Sequence, residues 1–371
     1  MIKRIIVLIF LPLLVVTSVI AQNFPDSLLN GVRLNTKINY GFVYPHNSSI
    51  EYLLNGNVKS FEISLSTWSN DRHIWEELYR RPNYGMAYNY LNFSNPEILG
   101  HAHAVFGYFA APFHRGNQIN VQYHLNLGYG YISKTYEPYS NPLNLAVSSH
   151  GNIYVGLDLY LEYCFKNGQQ IRWGLETSHY SNGKFRSPNL GLNILSTTLT
   201  HSFELLPEKN YKTTPKEAVN SKHIIDLIWN VGWKRDDMLN DKLYQVSTII
   251  GDYWYYASKK YLAGGGIDFF YDETLRPTKE FEDETKSIPS DNYQMGLHAG
   301  AMAKFGNLSS VLNVGYYVIA GYHKYATFYS RLGLRYSINS KLNVNFTVKA
   351  HYAIADYLEW GIGYRFNLKQ K

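Results

Sequence analysis

Strict alternation of apolar and polar residues recurs along the chain and constrains its fold more than any other feature. Clear examples are the segments INVQYHLNLGYGY (119–131), IYVGLDLYLEY (153–163) and LNVNFTVK (342–349). Side chains of a β-strand point to its two faces in turn, so each segment predicts a strand with one apolar and one polar face. These runs span about 7 to 13 residues, the length that a tilted strand needs to cross a bilayer.

The recurrence of these segments predicts an all-β fold, a transmembrane antiparallel β-barrel of about 12–16 strands. A barrel is favoured because, in lipid, only a closed sheet satisfies every backbone polar group of its strands. A β-sandwich also shows period-two strands, but they are usually shorter. We prefer one large barrel over two eight-stranded units. The candidate strands are centred on residues 39, 63, 88, 106, 125, 158, 175, 197, 228, 249, 266, 297, 314, 331, 346 and 362.

The composition agrees with a membrane barrel. The chain has 34 Tyr, 18 Phe and 7 Trp but only 17% charged residues, and such aromatic density is typical of the girdles of membrane barrels. A Tyr-rich soluble binding protein is the competing interpretation. The formal net charge of +6, or +4 without Lys3 and Arg4, does not indicate nucleic-acid binding. With Cys164 as its single cysteine, the chain has no internal disulfide and no cysteine-based metal site.

Four segments divide the chain. Residues 1–21 have a basic start, a short apolar core and small residues before Gln22, which predicts a secretory signal peptide. Residues 22–206 form the first set of strands, 207–222 a polar periplasmic segment, and 223–371 the further strands. The acidic segment Asp272 to Asp291 is interpreted as a solvated loop in preference to a divalent-cation site.

One predicted hairpin, Ile171 to Phe203, carries on its apolar face polar residues of the types that act in catalysis. In its first strand, His179 and Ser181 continue the stripe that begins at Ile171, and in its return strand Asn193 stands near the start. A serine hydroxyl becomes a nucleophile when a base takes its proton, histidine is the usual base, and a third group orients the imidazole. On the pattern alone, a chance pairing of His and Ser at this spacing is the commoner explanation.

The motif His179-Tyr180-Ser181-Asn182, followed by Pro188-Asn189 and Gly191, resembles the lipid A 3-O-deacylase (PagL-type) family of outer-membrane acyl hydrolases. The resemblance covers about 50 residues well and residues 35–206 loosely, and the family's barrel has eight strands. It implies that Ser181 is the nucleophile and His179 the base of a Ser-His-Glu triad. The family's glutamate falls at Asn193, a departure, because an amide orients a histidine but carries no charge to stabilise imidazolium. Glu176 cannot replace it, since alternation aims that side chain at the other face.

The resemblance also assigns roles in the turn between the two strands. Asn182, the N–H of Gly183 and Asn189 are candidate oxyanion donors. Lys184 and Arg186 are candidate partners for lipid A phosphates. All five are also ordinary turn residues. For Lys184 and Arg186, a solvated charge without a bound phosphate is an equal alternative.

The sequence therefore predicts an outer-membrane esterase that removes an ester-linked acyl chain from lipid A of lipopolysaccharide, through a Ser-His pair on the lipid-facing wall. No cofactor and no metal are expected. The alternative is a non-catalytic outer-membrane barrel, either a pore or an assembly or adhesion protein. With the N-terminus in the periplasm, the His179 strand is the seventh, and its turn faces outside. Neither the acyl position cleaved nor the oligomeric state follows from the sequence.

Overall fold

The computed structural model describes most of the chain beyond residue 30. The described residues are 31–45, 48–53, 56–69, 73–207, 222–235, 242–275, 292–320, 327–351 and 354–368. The expected signal peptide (1–21) lies outside them, as do residues 208–221 of the predicted polar segment and residues 276–291 of the acidic loop.

The described residues form sixteen antiparallel strands, and each predicted strand centre falls inside one of them. The first eight are β1 Arg33–Val43, β2 Val58–Trp68, β3 Asn83–Asn92, β4 His101–Arg115, β5 Ile119–Ile132, β6 Gly151–Cys164, β7 Gln170–Ser181 and β8 Leu192–Glu204. The second eight are β9 His223–Lys234, β10 Tyr244–Tyr256, β11 Tyr261–Asp272, β12 Tyr293–Phe305, β13 Leu308–Ala320, β14 Phe328–Ser337, β15 Leu342–His351 and β16 Ile354–Leu368. A short helix, α1 Ile74–Leu78, and two 3₁₀ turns, Ser48–Leu53 and Glu273–Leu275, lie between strands.

The strands close into two barrels, so the preference for one large barrel is wrong. Strand β8 pairs with β1 from Val43↔Ile194 to Arg33↔Glu204, and β16 pairs with β9 in the same way. Each closure uses both edges of its first and last strand. Strand β8 therefore has no edge with which to pair β9, and a continuous sheet of sixteen strands cannot form.

Both barrels place apolar side chains outside and polar side chains inside. On β7, Trp173 and Leu175 are 59% and 53% exposed, whereas the alternate residues Arg172 and Glu176 are buried. A soluble protein shows the opposite arrangement, because its apolar side chains leave water. An apolar outer wall around a polar interior is the arrangement of a membrane barrel. None of the described helices is long and apolar enough to cross a membrane.

Ion pairs fill the lumen of the first barrel. Lys37 Nζ lies 2.7 Å from a Glu62 carboxylate oxygen, 2.8 Å from Glu176 and 3.6 Å from Asp158. Buried charges are tolerated when they are paired in this way. The cavity that remains beside them has a volume of about 10 Å³, room for roughly one water molecule.

The lumen of the second barrel is also filled by paired charges. Arg331 donates to Glu359 at 2.6 Å and to Asp268 at 3.1 Å, and His298 bridges Asp268 and Asp252 at 2.8 and 3.0 Å. Small barrels of eight strands are generally closed by their own side chains. In both barrels the described lumen side chains are therefore packed and ion-paired.

Candidate active site on the outer wall of the first barrel

Of the predicted site residues, His179 and Ser181 lie at the end of β7, and Asn193 lies at the start of β8. His179 and Asn193 are direct partners across the two strands. His179 continues the outward-facing row of Leu175 and Thr177, so its imidazole stands on the lipid-facing side of the wall. Ser181 follows at the last position of the strand and is buried.

The His179 imidazole is oriented by Asn193. Asn193 Oδ1 lies 2.6 Å from His179 Nδ1, and both residues are half-buried. An amide oxygen only accepts, so this contact assigns the ring proton to Nδ1. His179 Nε2 is then the ring nitrogen that can take up a proton.

Two N–H groups converge on the Ser181 hydroxyl. The Asn189 side-chain amide donates to Ser181 Oγ at 2.9 Å, and the Gly183 backbone N–H donates to it at 3.2 Å. An oxyanion hole consists of donors aimed at the oxygen of the attacked carbonyl, which would lie beside Oγ, so these two N–H groups are close to that position. Asn189 and Gly183, two of the predicted oxyanion donors, are thus brought to the predicted nucleophile.

Asn182, the third predicted donor, holds the turn together. Its buried amide donates to Ser149 Oγ at 2.9 Å, to Ser148 Oγ at 3.3 Å and to the Arg186 carbonyl at 3.1 Å. Its backbone N–H donates to Asn189 Oδ1 at 3.2 Å, which leaves the Asn189 amide nitrogen for Ser181. Sequence reasoning missed Ser148 and Ser149, because they lie outside any alternating segment and more than 30 residues away.

The two basic turn residues point to different neighbours. Lys184 Nζ lies 4.0 Å from Asp356 of the second barrel. Arg186 lies 3.7 Å from Glu137, and both of these side chains are exposed. An exposed ion pair is weak, so Arg186 can exchange Glu137 for another anion at little cost.

An apolar groove lies on the same outer wall as His179. Its volume is about 430 Å³, within the range of pockets that hold small molecules. Ile38, Tyr40, Trp173, Thr197 and Leu199 are among the residues that line it. Because Thr197 stands four residues beyond Asn193 along β8, the groove lies roughly 13 Å from the His179–Asn193 pair.

Gly191 leaves room for the imidazole of His179. Its φ is +77°, and a Cβ at this position would lie 2.6 Å from His179 Cε1 and 3.2 Å from the Tyr180 carbonyl oxygen. Only glycine adopts this backbone conformation readily, and only glycine leaves room for the ring. The glycine of the sequence motif therefore has a steric role beside the histidine.

We expect Gly191→Ala to lower the rate of the reaction at this site by about 10²-fold, because a displacement of the imidazole by about 1 Å has effects of that size. The measurement is the specific activity of the purified variant relative to the wild-type chain. Gly251→Ala on β10 is the matched control, since a Cβ there meets nothing within 4 Å. Equal turnover in Gly191→Ala and the wild-type chain would contradict the role of Gly191.

Two family models match the chain, and they divide it as the barrels do. The model described as lipid A 3-O-deacylase (PagL) matches residues 60–202, and the model described as acyloxyacyl hydrolase, C-terminal domain, matches residues 223–368. The first barrel therefore matches the PagL-type lipid A deacylase family. The second match extends the relationship to the half that the sequence motifs did not reach. This match and the apolar outer walls together place the chain in the outer membrane.

The solved structures that match the chain include a PagL protein and a porin. The crystal structure of the outer membrane enzyme PagL is 20% identical, covers 45% of this chain and 97% of its own, and has a TM-score of 0.31. A mutant of Rh. blastica porin is 10% identical, covers 90% of this chain and 100% of its own, and has a TM-score of 0.18. With TM-scores this low, the two-barrel fold rests on the strand pairing of this chain itself. No curated protein matches the chain.

Proposed function

We propose that the first barrel hydrolyses an ester-linked acyl chain of lipid A, with Ser181 as nucleophile and His179 as base. The observation that carries this proposal is the polar cluster on a largely apolar outer wall, where Asn193 orients His179 and two N–H groups meet Ser181 Oγ. Polar groups on a lipid-facing surface are costly and mark functional sites. Membership of the lipid A deacylase family supports the choice of substrate.

The proposed chemistry follows acyl-serine hydrolysis. Ser181 Oγ attacks the ester carbonyl carbon while His179 Nε2 takes the hydroxyl proton. The carbonyl oxygen becomes an oxyanion, which the N–H groups of Gly183 and Asn189 stabilise. The bond to the sugar oxygen then breaks, and His179 returns its proton to that leaving oxygen. Water activated by the same imidazole releases the fatty acid from Ser181.

Binding of the substrate uses the surroundings of this site. The apolar groove lined by Trp173 and Leu199 accepts an acyl chain without drawing it out of the lipid layer. The exposed side chain of Arg186 would bind a lipid A phosphate, and Lys184 would add a second positive charge nearby. The β7–β8 turn faces the outer leaflet if the N-terminus is periplasmic, because β7 is an odd-numbered strand.

The test is to incubate the purified full chain with lipid A in mixed micelles and to measure both products by mass spectrometry. The expected result is lipid A that has lost one acyl chain, together with an equal amount of free fatty acid. Prior treatment with a serine-directed phosphonate should stop this release and add its mass to the peptide that contains Ser181. Release that persists after complete labelling would contradict the proposal. Inert lipid A together with steady conductance in planar bilayers would favour the pore alternative.

A further inference from the structure

The turn that carries the proposed oxyanion donor touches the second barrel. A Cβ on Gly183 would lie 2.5 Å from Leu358 Cγ, so the Leu358 side chain occupies the space directly over this glycine. Leu358 stands on the outward row of β16, yet it is only 6% exposed, whereas Ile362 on the same row is 63% exposed. The first barrel therefore covers Leu358 at a position that would otherwise face lipid.

Polar contacts fix the same junction. The Arg235 backbone N–H, just after β9, donates to the Lys184 carbonyl at 3.2 Å. Lys184 Nζ lies 4.0 Å from Asp356 Oδ1, and Asp356 is itself held by Lys234 at 2.8 Å and Lys349 at 3.0 Å. The turn thus rests on a buried, ion-paired part of the second barrel and not on a mobile surface loop.

The backbone of the turn needs such support. Gly183 has φ +63° and Lys184 has φ +68°, two successive left-handed residues of which the second is not glycine. A lysine rarely adopts this conformation unless its surroundings hold it there. The orientation of these residues sets the direction of the Gly183 N–H, which donates to Ser181 Oγ at 3.2 Å.

We infer that the second barrel is a positioning element for the first, and that Leu358 is the residue through which it acts. This inference rests on the proposed function, since it assigns a role to Leu358 in the reaction of Ser181. Leu358 packs against Gly183, and the Arg235 N–H holds the Lys184 carbonyl. Together these two contacts keep the Gly183 N–H directed at Ser181 Oγ. The second barrel thereby contributes to turnover although it contributes no atom to the chemistry.

A separate contact keeps the barrels together when Leu358 is changed. At the opposite end of the barrels, Tyr79 stacks on Phe305 with ring centroids 4.7 Å apart, and Phe109 lies edge-on to Phe305 at 4.8 Å. Lys260 Nζ lies 4.9 Å from the centre of the Tyr79 ring. Truncation of Leu358 therefore loosens the turn without removing the whole interface.

The first test compares Leu358→Ala with the wild-type full chain on lipid A. The expected result is a fall of about tenfold in kcat with KM changed by less than about twofold, because the donor is misaligned but the binding groove is untouched. Leu358→Met should keep nearly full kcat, since it conserves the volume over Gly183. Ile362→Ala, the same kind of truncation farther along β16, should leave kcat unchanged. Heat-modifiable migration on gels establishes that each variant is folded.

The second test asks whether Leu358 acts through Gly183. Gly183→Ala alone should lower kcat strongly, because its methyl group meets Leu358 and its φ is strained. Adding Leu358→Ala to that variant should raise kcat again by about threefold or more, although the same change lowers kcat in the wild-type chain. Leu358→Ala would then lower kcat in the wild-type chain and raise it in Gly183→Ala. A general loss of stability does not produce such a change of sign.

The outcomes separate this inference from the function on which it rests. If the wild-type chain releases no fatty acid, or releases it without Ser181, the proposed function fails and the positioning role fails with it. If release depends on Ser181 but Leu358→Ala retains kcat within twofold, the reaction stands and only the positioning role is overturned. The same holds if the two substitutions simply add their losses.

Discussion

Ser181→Ala is expected to abolish the release of fatty acid from lipid A, with kcat reduced by at least about 10³-fold. The reason is that the proposed reaction needs a bond between the acyl carbon and Ser181 Oγ, and the variant has no oxygen there. His179, Asn193 and the two N–H donors remain, but they act on a nucleophile that is absent. The measurement is the mass of lipid A after long incubation with variant or wild-type chain at equal concentration.

Ser178→Ala is the matched control for this prediction. Ser178 stands on the same strand, three residues earlier, but it is buried on the lumen side of the wall. Loss of its hydroxyl leaves the outer face unchanged, so release should continue at the wild-type rate. If Ser181→Ala retained more than about one tenth of the wild-type kcat, Ser181 would be rejected as nucleophile, because residual rates of triad variants are far smaller. If Ser178→Ala lost activity instead, the reaction would have to take place on the lumen side of the wall.

The strands of this fold can be predicted from the sequence because their signal is local. In β7 the apolar residues Ile171, Trp173 and Leu175 alternate with residues that turn inward, and this pattern alone defines the strand and its two faces. Barrel closure is a different kind of property. Pairing of Arg33 with Glu204 joins residues 171 positions apart, and the alternation of β1 and β8 is the same whether they pair with each other or with further strands.

The residues of the candidate site also fall into those that the local sequence predicts and those that it does not. His179 and Asn193 come together through one hairpin, and the motif around them already pointed to Ser181, Gly183 and Asn189. Ser148, Ser149 and Leu358 reach the turn from loops and strands that are distant in sequence, so no spacing in the hairpin reveals them. Two eight-stranded units were the alternative to one large barrel, but nothing in the sequence gave a reason to expect the second barrel against the β7–β8 turn.

Asn193 stands where the resemblance in sequence implies a glutamate, and Glu176, the one carboxylate of β7, does not compensate for it. Glu176 faces the lumen, where it accepts from Lys37 at 2.8 Å and from Asn39 at 3.0 Å. An acid held in that network cannot reach the outer wall. The imidazolium that forms during the proposed reaction is therefore stabilised at Nδ1 by the amide dipole of Asn193 and not by a full charge.

Asn193→Asp is consequently expected to raise kcat. Aspartate has the shape of asparagine, so its carboxylate oxygen can take the place of Oδ1, now 2.6 Å from His179 Nδ1. In a Ser-His-Asp triad the reverse change lowers kcat by about 10⁴-fold, chiefly because it produces the wrong tautomer. Here the amide oxygen already selects the tautomer with a proton on Nδ1, so only the electrostatic part remains to be gained. We expect that part to be worth about 10- to 100-fold in kcat, measured as initial rates of fatty-acid release.

Asn193→Leu separates orientation from charge. Leucine fills a similar volume but accepts no hydrogen bond, so the His179 ring loses both its tautomer preference and its alignment, and kcat should fall on the order of 10³-fold. If Asn193→Leu retained the wild-type rate, Asn193 would not orient the base at all. If instead Asn193→Leu were inactive and Asn193→Asp no faster than the wild-type chain, orientation would be the whole contribution of this position, and an asparagine would serve this family's reaction as well as an acid.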